Sequence, residues 1–317
     1  MHADAARARR PLRGVALKLG SVVLFVAMVS LIKATADHVP PGEAVFFRSF
    51  FAMPVILAWL LWPGGPHGSL RGGLRTTDPL GQIWRGLVGT LAMGLGFAGL
   101  GLLPLPEVTA LGYAAPLLVV VFGSMFLGER VRAVRLVAVA LGLAGVLVVL
   151  SPRLEVTGEI GAREALGAVV TLGGAVFAAL AQVFVRRLTM TEGTASIVFW
   201  FSATASVLSL ATIPFGWVLP APREAILLVL AGVLGGFGQI LLTSAYRNAE
   251  AGLVAPFDYA SMLLAVAIGY GVFGEVPSRS TLAGAAIVIA AGILIIWRER
   301  ALGLARERER AAGKAGP

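Results

Sequence analysis

The sequence predicts an all-α integral membrane protein with ten transmembrane helices, arranged as a 5+5 inverted-topology repeat. Three observations predict it. First, the 317-residue chain is 57% hydrophobic but only 14% charged, with a mean hydropathy of +0.86. A soluble domain carries about 25% charged residues; a globule this poor in charge could not cover its own surface, so lipid is its solvent. Second, apolar segments of membrane-spanning length recur ten times along the chain. Third, LGYAAPLLVVVFGSMFLGER, residues 111–130, is written again as FDYASMLLAVAIGYGVFGEV, residues 257–276.

The ten segments cover residues 15–36, 43–62, 80–102, 105–127, 132–150, 164–185, 194–215, 223–246, 250–273 and 279–297. Each has roughly the 20 residues a helix needs to cross the hydrocarbon. Helices are required because backbone groups in lipid must bond within their own segment, and the alternation of a membrane barrel is absent. The first span follows RARRPLRG without the short apolar core and small-residue cleavage site of a signal peptide, so it stays in the membrane. The third opens on DPLGQIWRG, with Asp78 as N-cap and Pro79 at the first helical position. With the N-terminus placed in the cytoplasm, 18 of the 26 Lys and Arg residues fall in inside segments and four in outside loops. Both termini are therefore expected in the cytoplasm, at the inner membrane. The net charge of +9 reflects this orientation rather than nucleic-acid binding. The tail ERALGLARERERAAGKAGP reads as a solvated cytoplasmic helix.

The repeat runs at a shift of 146 residues. From Tyr113 to Glu129 it gives eight identities in 17 positions, and Gly86 and Gly89 map to Gly232 and Gly235. GLAGVLVV, residues 142–149, is echoed by AAGILII, residues 290–296, after one inserted residue. A unit of five spans is odd-numbered, so its second copy enters the membrane inverted, with Glu129 inside and Glu275 outside. The predicted organisation is a tail at 1–14, a first unit at 15–150, an external linker at 151–163, a second unit at 164–297 and a tail at 298–317. Inverted repeats of this kind characterise secondary transporters, whose halves rock about a midplane site.

Two halves that each close a fourth helix on Leu/Phe-Gly-Glu before a Gly-rich fifth resemble the drug/metabolite transporter superfamily, EamA type. EAVFFRSFFA, residues 43–52, resembles that family's second helix with its arginine, and GQILLTSAYRNAEAGLVAPFDY, residues 238–259, resembles the join of its eighth and ninth. The resemblance covers residues 15–297. It implies a central cavity lined by the first, third, fourth, sixth, eighth and ninth helices. It also implies a small-metabolite substrate of the amino-acid, riboflavin, S-adenosylmethionine or metallophore kind.

Ionisable groups inside a span cost about 2.5–3.5 kcal/mol each at mid-helix, so each needs a reason. Asp258 falls near the midplane just after Pro256, as a coupling carboxylate, a partner for a substrate amine, or half of a structural ion pair with a buried arginine. Arg48 would clamp a carboxylate or phosphate, or pair with Glu43, Glu107 or Asp258. Arg85 reads as a snorkelling interfacial arginine beside Trp84, with substrate binding as the alternative. Lys33, at the outer end of the first span, can also snorkel and is a secondary pathway candidate. Gln182 and Gln239 would bond substrate or a neighbouring helix. The repeat mates Tyr113 and Tyr259 are candidates for the cavity wall or gate. Pro54, Pro116 and Pro256 are expected to bend their helices. At Gly128–Glu129 and Gly274–Glu275, the glycine suits a helix C-terminus. The glutamate suits the N-terminus of the next helix, and either glutamate is a gate candidate.

The chain has no cysteine, and its three histidines, His2, His38 and His67, are dispersed, so neither a disulfide nor a metal site is expected. It lacks a phosphate loop, an H-E-x-x-H and a nucleophile elbow. No cofactor is expected. The expected partners are a small-molecule substrate, a coupling proton or cation and the bilayer, in a monomer or homodimer. The predicted function is a secondary transporter of a small polar metabolite bearing a carboxylate or phosphate, amino-acid-like, vitamin-like or nucleoside-like. The alternative is a membrane-embedded enzyme acting on a lipid or lipid-linked substrate. It would need polar groups converging at one interface, whereas these candidates are spread over several spans.

Overall fold

The computed structural model describes residues 11–62, 70–127, 133–151, 158–188, 191–248, 255–294 and 297. Glu129 lies outside the described residues. Among them every regular element is helical: α1 (Pro11–Lys33), α2 (Pro41–Phe50), α3 (Ala52–Leu61), α4 (Leu70–Leu74), α5 (Pro79–Leu100), α6 (Leu105–Gly112) and α7 (Ala114–Leu127) in the first part of the chain. The second part holds α8 (Ala133–Leu150), α9 (Gly158–Leu188), α10 (Thr194–Leu210), α11 (Pro222–Asn248), α12 (Ala260–Phe273) and α13 (Arg279–Leu294). Among the described residues, six stretches are long and apolar enough to cross a membrane: Leu12–Lys33, Pro41–Leu61, Pro79–Leu100, Leu105–Gly123, Gly161–Val185 and Pro222–Ala245. Four apolar helices are shorter: Leu136–Leu150, Thr194–Leu210, Phe257–Phe273 and Arg279–Leu294.

Local chemistry sets the breaks. The Asp78 side chain accepts from the Gly81 N–H at 2.8 Å and Pro79 opens α5, the cap read from sequence. Pro54 and Pro116 donate no backbone hydrogen bond, so the carbonyls four residues earlier go without their helical partners. The helices are interrupted at Phe51 and Tyr113, each three residues before its proline. Ala255–Tyr259, which contains Pro256 and Asp258, is a 3₁₀ turn leading into α12. Gly274 ends α12 at φ +66°, a left-handed conformation that glycine adopts without a Cβ clash. The Glu275 N–H then reaches back to the Gly269 carbonyl at 2.8 Å.

The packing is inverted relative to a soluble globule. Val23, Leu61, Leu147, Val169 and Leu263 are exposed, while Lys18, Glu43, Arg48, Gln82 and Arg85 are buried. Lipid gives no hydrophobic drive between helices, so close approach of small residues supplies the contact. The longest pairings are α1 along α11 and α5 along α9. A Cβ on Gly174 would stand 3.2 Å from the Ala92 carbonyl oxygen, so α5 and α9 meet nearly backbone to backbone. Gly232 and Gly236 let α11 press on α2 and α3. Gly145 and Gly284 do the same between α8 and α13.

Candidate functional site

A cavity of about 820 Å³ opens between the helices. Its wall is formed by α1, α2, α5, α6, α7, α9, α10, α11 and α12 with the 3₁₀ turn before it. Arg48, Arg85, Tyr113, Gln182, Gln239 and Asp258 all line it, as does Pro116. Two helices absent from the expected wall also contribute: α2 brings Arg48, and α10 brings Thr194 and Phe201. At the end where α5 begins, the cavity reaches Glu192, in the connection before α10. Glu192 Oε1 there accepts from Thr76 Oγ1, Thr77 N, Thr77 Oγ1 and Asp78 N at 2.6–3.0 Å.

Arg48 and Arg85 are 5% and 7% exposed and lie against the same ring. The Phe201 centroid is 5.5 Å from the Arg48 guanidinium and 3.8 Å from that of Arg85, a cation–π contact that compensates part of each charge. Among the described residues, no carboxylate forms an ion pair with either guanidinium. Arg48 Nε and Arg85 Nε and Nη1 are buried without a hydrogen-bond partner among the described residues. Glycines make the room: a Cβ on Gly89 would collide with Arg85 Nη1, and one on Gly235 would stand 3.2 Å from Arg48 Nε. These are the two glycines related by the 146-residue shift.

Two readings of these arginines are corrected. Arg85 does not snorkel. The exposed member of the pair is Trp84, at 49%, while Arg85 is turned inward because one residue along a helix rotates the side chain by about 100°. Among the described residues no acid pairs with Arg48: Glu43 accepts from Val218 N at 3.1 Å, and Asp258 is engaged by Lys18.

Lys18 is a cation within α1 that the sequence does not single out. It is 2% exposed, and its Nζ lies 2.6 Å from Asp258 Oδ1. The Asp258 side chain keeps 42% of its surface exposed, toward the cavity. The missed signal was spacing: Lys18 shares one face of α1 with Ser21, Met28 and Ile32, all buried. Phe201 was also missed, and nothing in its neighbourhood in the chain announces it.

Tyr113 and Tyr259 stack edge to face, with centroids 5.2 Å apart. The Tyr113 hydroxyl lies 2.7 Å from Ser261 Oγ and faces the cavity. Tyr259 is not part of the cavity wall; its ring packs over Gly292 of α13, where a Cβ would overlap it.

Lys33 and Glu275 are also outside the wall, and neither behaves as expected. Lys33 does not snorkel: Nζ lies 2.8 Å from Glu275 Oε1 and donates to the Leu100 and Leu103 carbonyls at 3.1 and 2.9 Å. Glu275 Oε2 accepts from Leu105 N at 2.8 Å, so it caps α6 rather than the helix that follows it in sequence. This cluster ties α1, the α5–α6 connection and the end of α12 together. It sits at the C-terminal end of α5, opposite the Glu192 end.

Comparison with known proteins fits this architecture. The EamA-like transporter family matches residues 12–151 and again 165–297. The pseudopaline exporter of Pseudomonas aeruginosa strain UCBPP-PA14 is 32% identical over 284 residues, 89% of this chain and 95% of the exporter. The S-adenosylmethionine uptake transporter of Rickettsia bellii is 27% identical over 294 residues, covering 90% and 97% of the two chains. A solved crystal structure with 22% identity superposes with a TM-score of 0.64, covering 91% of this chain and 98% of the other, which speaks to the fold. The two family matches together take in most of the sequence. The chain belongs to the EamA-like transporter family: it is a multi-pass membrane protein, a transporter of small metabolites and not an enzyme.

Proposed function

We propose that this protein is a secondary transporter that carries a small metabolite bearing a carboxylate or phosphate across the inner membrane by alternating access. Arg48 and Arg85 hold the anionic group, and Asp258, bridged to Lys18, receives an amine or a coupling proton or cation. Gln182, Gln239 and Tyr113 contact the remainder of an amino-acid-like, vitamin-like or nucleoside-like solute. The observation that carries this reading is a pair of buried guanidiniums on the cavity wall without a described acidic partner. A buried charge without a counter-charge is costly, and an anionic substrate supplies the counter-charge.

The proposed frame is ten spans in two inverted units, 15–150 and 164–297, with both termini in the cytoplasm. Three things support it. The family matches twice, in succession. Helix pairings recur in corresponding places, α1 on α11 beside α5 on α9, and α2 on α11 beside α10 on α5. Gly89 and Gly235 do the same work for two different arginines. In this frame the Glu192 end is cytoplasmic, and the Lys33–Glu275 tie closes the external end.

Flux in proteoliposomes tests the function. A labelled panel of amino acids, dicarboxylates and phosphorylated metabolites is expected to yield a solute that crosses unchanged, with flux reduced at least tenfold in Arg48→Gln, as for loss of a charge-assisted contact. A transported solute whose flux is indifferent to Arg48→Gln and Arg85→Gln would remove the arginines from the site.

A further inference from the structure

Resting on that reading, we propose that the group held by Arg48 and Arg85 carries two negative charges, either a pair of carboxylates or a phosphate monoester. The charged residues on the cavity wall are Lys18, Arg48, Arg85, Glu192 and Asp258. Lys18 and Asp258 neutralise one another at 2.6 Å. Glu192 is held at the far rim by Thr76, Thr77 and Asp78, and the Tyr113 hydroxyl is engaged with Ser261. Arg48 and Arg85 remain, and among the described residues neither has an acid within ion-pair distance.

The two guanidiniums do not act separately. Both converge on the one Phe201 ring. A single carboxylate between them compensates one cation and leaves the other buried and unpaired, the costly half of a broken ion pair. A doubly charged group compensates both. Each guanidinium is a planar fork of donors matched to two oxygens, so a ligand with more than two acceptor oxygens lets both forks bond without sharing the same pair. A phosphate monoester offers three acceptor oxygens, and a dicarboxylate four. Phe201, Arg48 and Arg85 all line the cavity, so a ligand held there can reach both guanidiniums.

The test uses the purified full-length chain in nanodiscs and reads melting temperature against ligand concentration, at constant ionic strength. The probes are succinate against butyrate, two four-carbon acids differing by one charge, and O-phosphoserine against serine. At about pH 7.5 the phosphoryl group is close to doubly ionised. Succinate or O-phosphoserine is expected to bind at least tenfold more tightly than its singly charged or zwitterionic counterpart. Discrimination by succinate alone names the paired carboxylate, and by O-phosphoserine alone the phosphate. In Arg85→Gln the preference is expected to fall to about twofold while the weaker ligand still binds, because one cation then suffices. Equal binding within each pair by the wild type overturns the double charge and leaves the anion site standing, as does a preference that survives in Arg85→Gln. No shift with any probe up to about 10 mM overturns the anion site and this inference with it, since a ligand bound only by the folded state must raise the melting temperature.

Discussion

Replacing Glu275 with alanine is predicted to loosen the end of the bundle at which Lys33 joins three segments. In the structure Lys33 Nζ has Glu275 Oε1 at 2.8 Å, and Glu275 Oε2 receives the Leu105 N–H at 2.8 Å. The two side chains are only 11% and 17% exposed. The substitution leaves Lys33 with two carbonyls and no counter-charge, and leaves the first amide of α6 without an acceptor. Two charge-assisted hydrogen bonds contribute about 1.5–3 kcal/mol each. Part of that is recovered by water when the end opens, so about 2 kcal/mol is a fair estimate of the bias toward the closed end. That corresponds to roughly a 30-fold change in the population of the alternative state. The chain has no cysteine, so a single thiol can be introduced without background. Thr109 lines the cavity one turn beyond Leu105, which makes Thr109→Cys the reporter. Its reaction with a membrane-impermeant maleimide, added from the Lys33 side of oriented proteoliposomes, is expected to quicken by about tenfold to 30-fold in Glu275→Ala. Lys33→Met is expected to act in the same direction. If neither substitution changes the labelling rate while both proteins remain folded, the tie does not hold that end closed and the reasoning fails. An equal increase from both faces would indicate general loosening, which also refutes it.

Glu192 gives a pH-dependent prediction. Burial pushes its carboxyl up, but the hydrogen bonds from Thr77, Asp78 and Thr76 outweigh this and hold it below the ordinary carboxylate range. Its stabilisation is therefore complete at neutral pH, begins to fade near pH ~4.3, the unperturbed value for Glu, and is lost as pH falls through the depressed folded value. Glu192→Gln is expected to lower stability by about 1 kcal/mol at neutral pH, a figure reduced for its partial exposure, and the difference in melting temperature from wild type should close on acidification. Gly89→Ala and Gly235→Ala each place a methyl against an arginine of the pair; both are expected to weaken solute affinity about tenfold or more in transport assays, with Gly89→Ala the more severe because its Cβ collides with Arg85 Nη1, whereas that of Gly235 stands 3.2 Å from Arg48 Nε and 2.9 Å from Met28 Sδ. Tyr113→Phe removes the 2.7 Å contact with Ser261 and is expected to cost about 1 kcal/mol in unfolding experiments without abolishing flux.

Much of this molecule was legible because it is local. Composition alone names lipid as the solvent, and Asp78-Pro79 starts a helix through contacts within four residues. Pro54 and Pro116 interrupt theirs by lacking an N–H, and Gly274 ends one by adopting a left-handed backbone. Arg48, Arg85 and Asp258 were singled out by the cost of their charge in a span, and all three reach the same cavity. Tertiary structure decided which partner each charge takes. Asp258 meets Lys18 across 240 residues of sequence rather than an arginine, and Glu275 caps Leu105, 170 residues away, rather than the helix beside it. It also turned Arg85 inward and Trp84 outward, and it gave Tyr113 to the cavity but its repeat mate Tyr259 to Gly292. The physical reason is that a soluble helix declares its buried face by alternating apolar and polar sides, whereas a helix in lipid is apolar all round and that signal vanishes. Its inward face is then chosen by small residues and by which charges can meet, and both depend on helices that are distant in the chain.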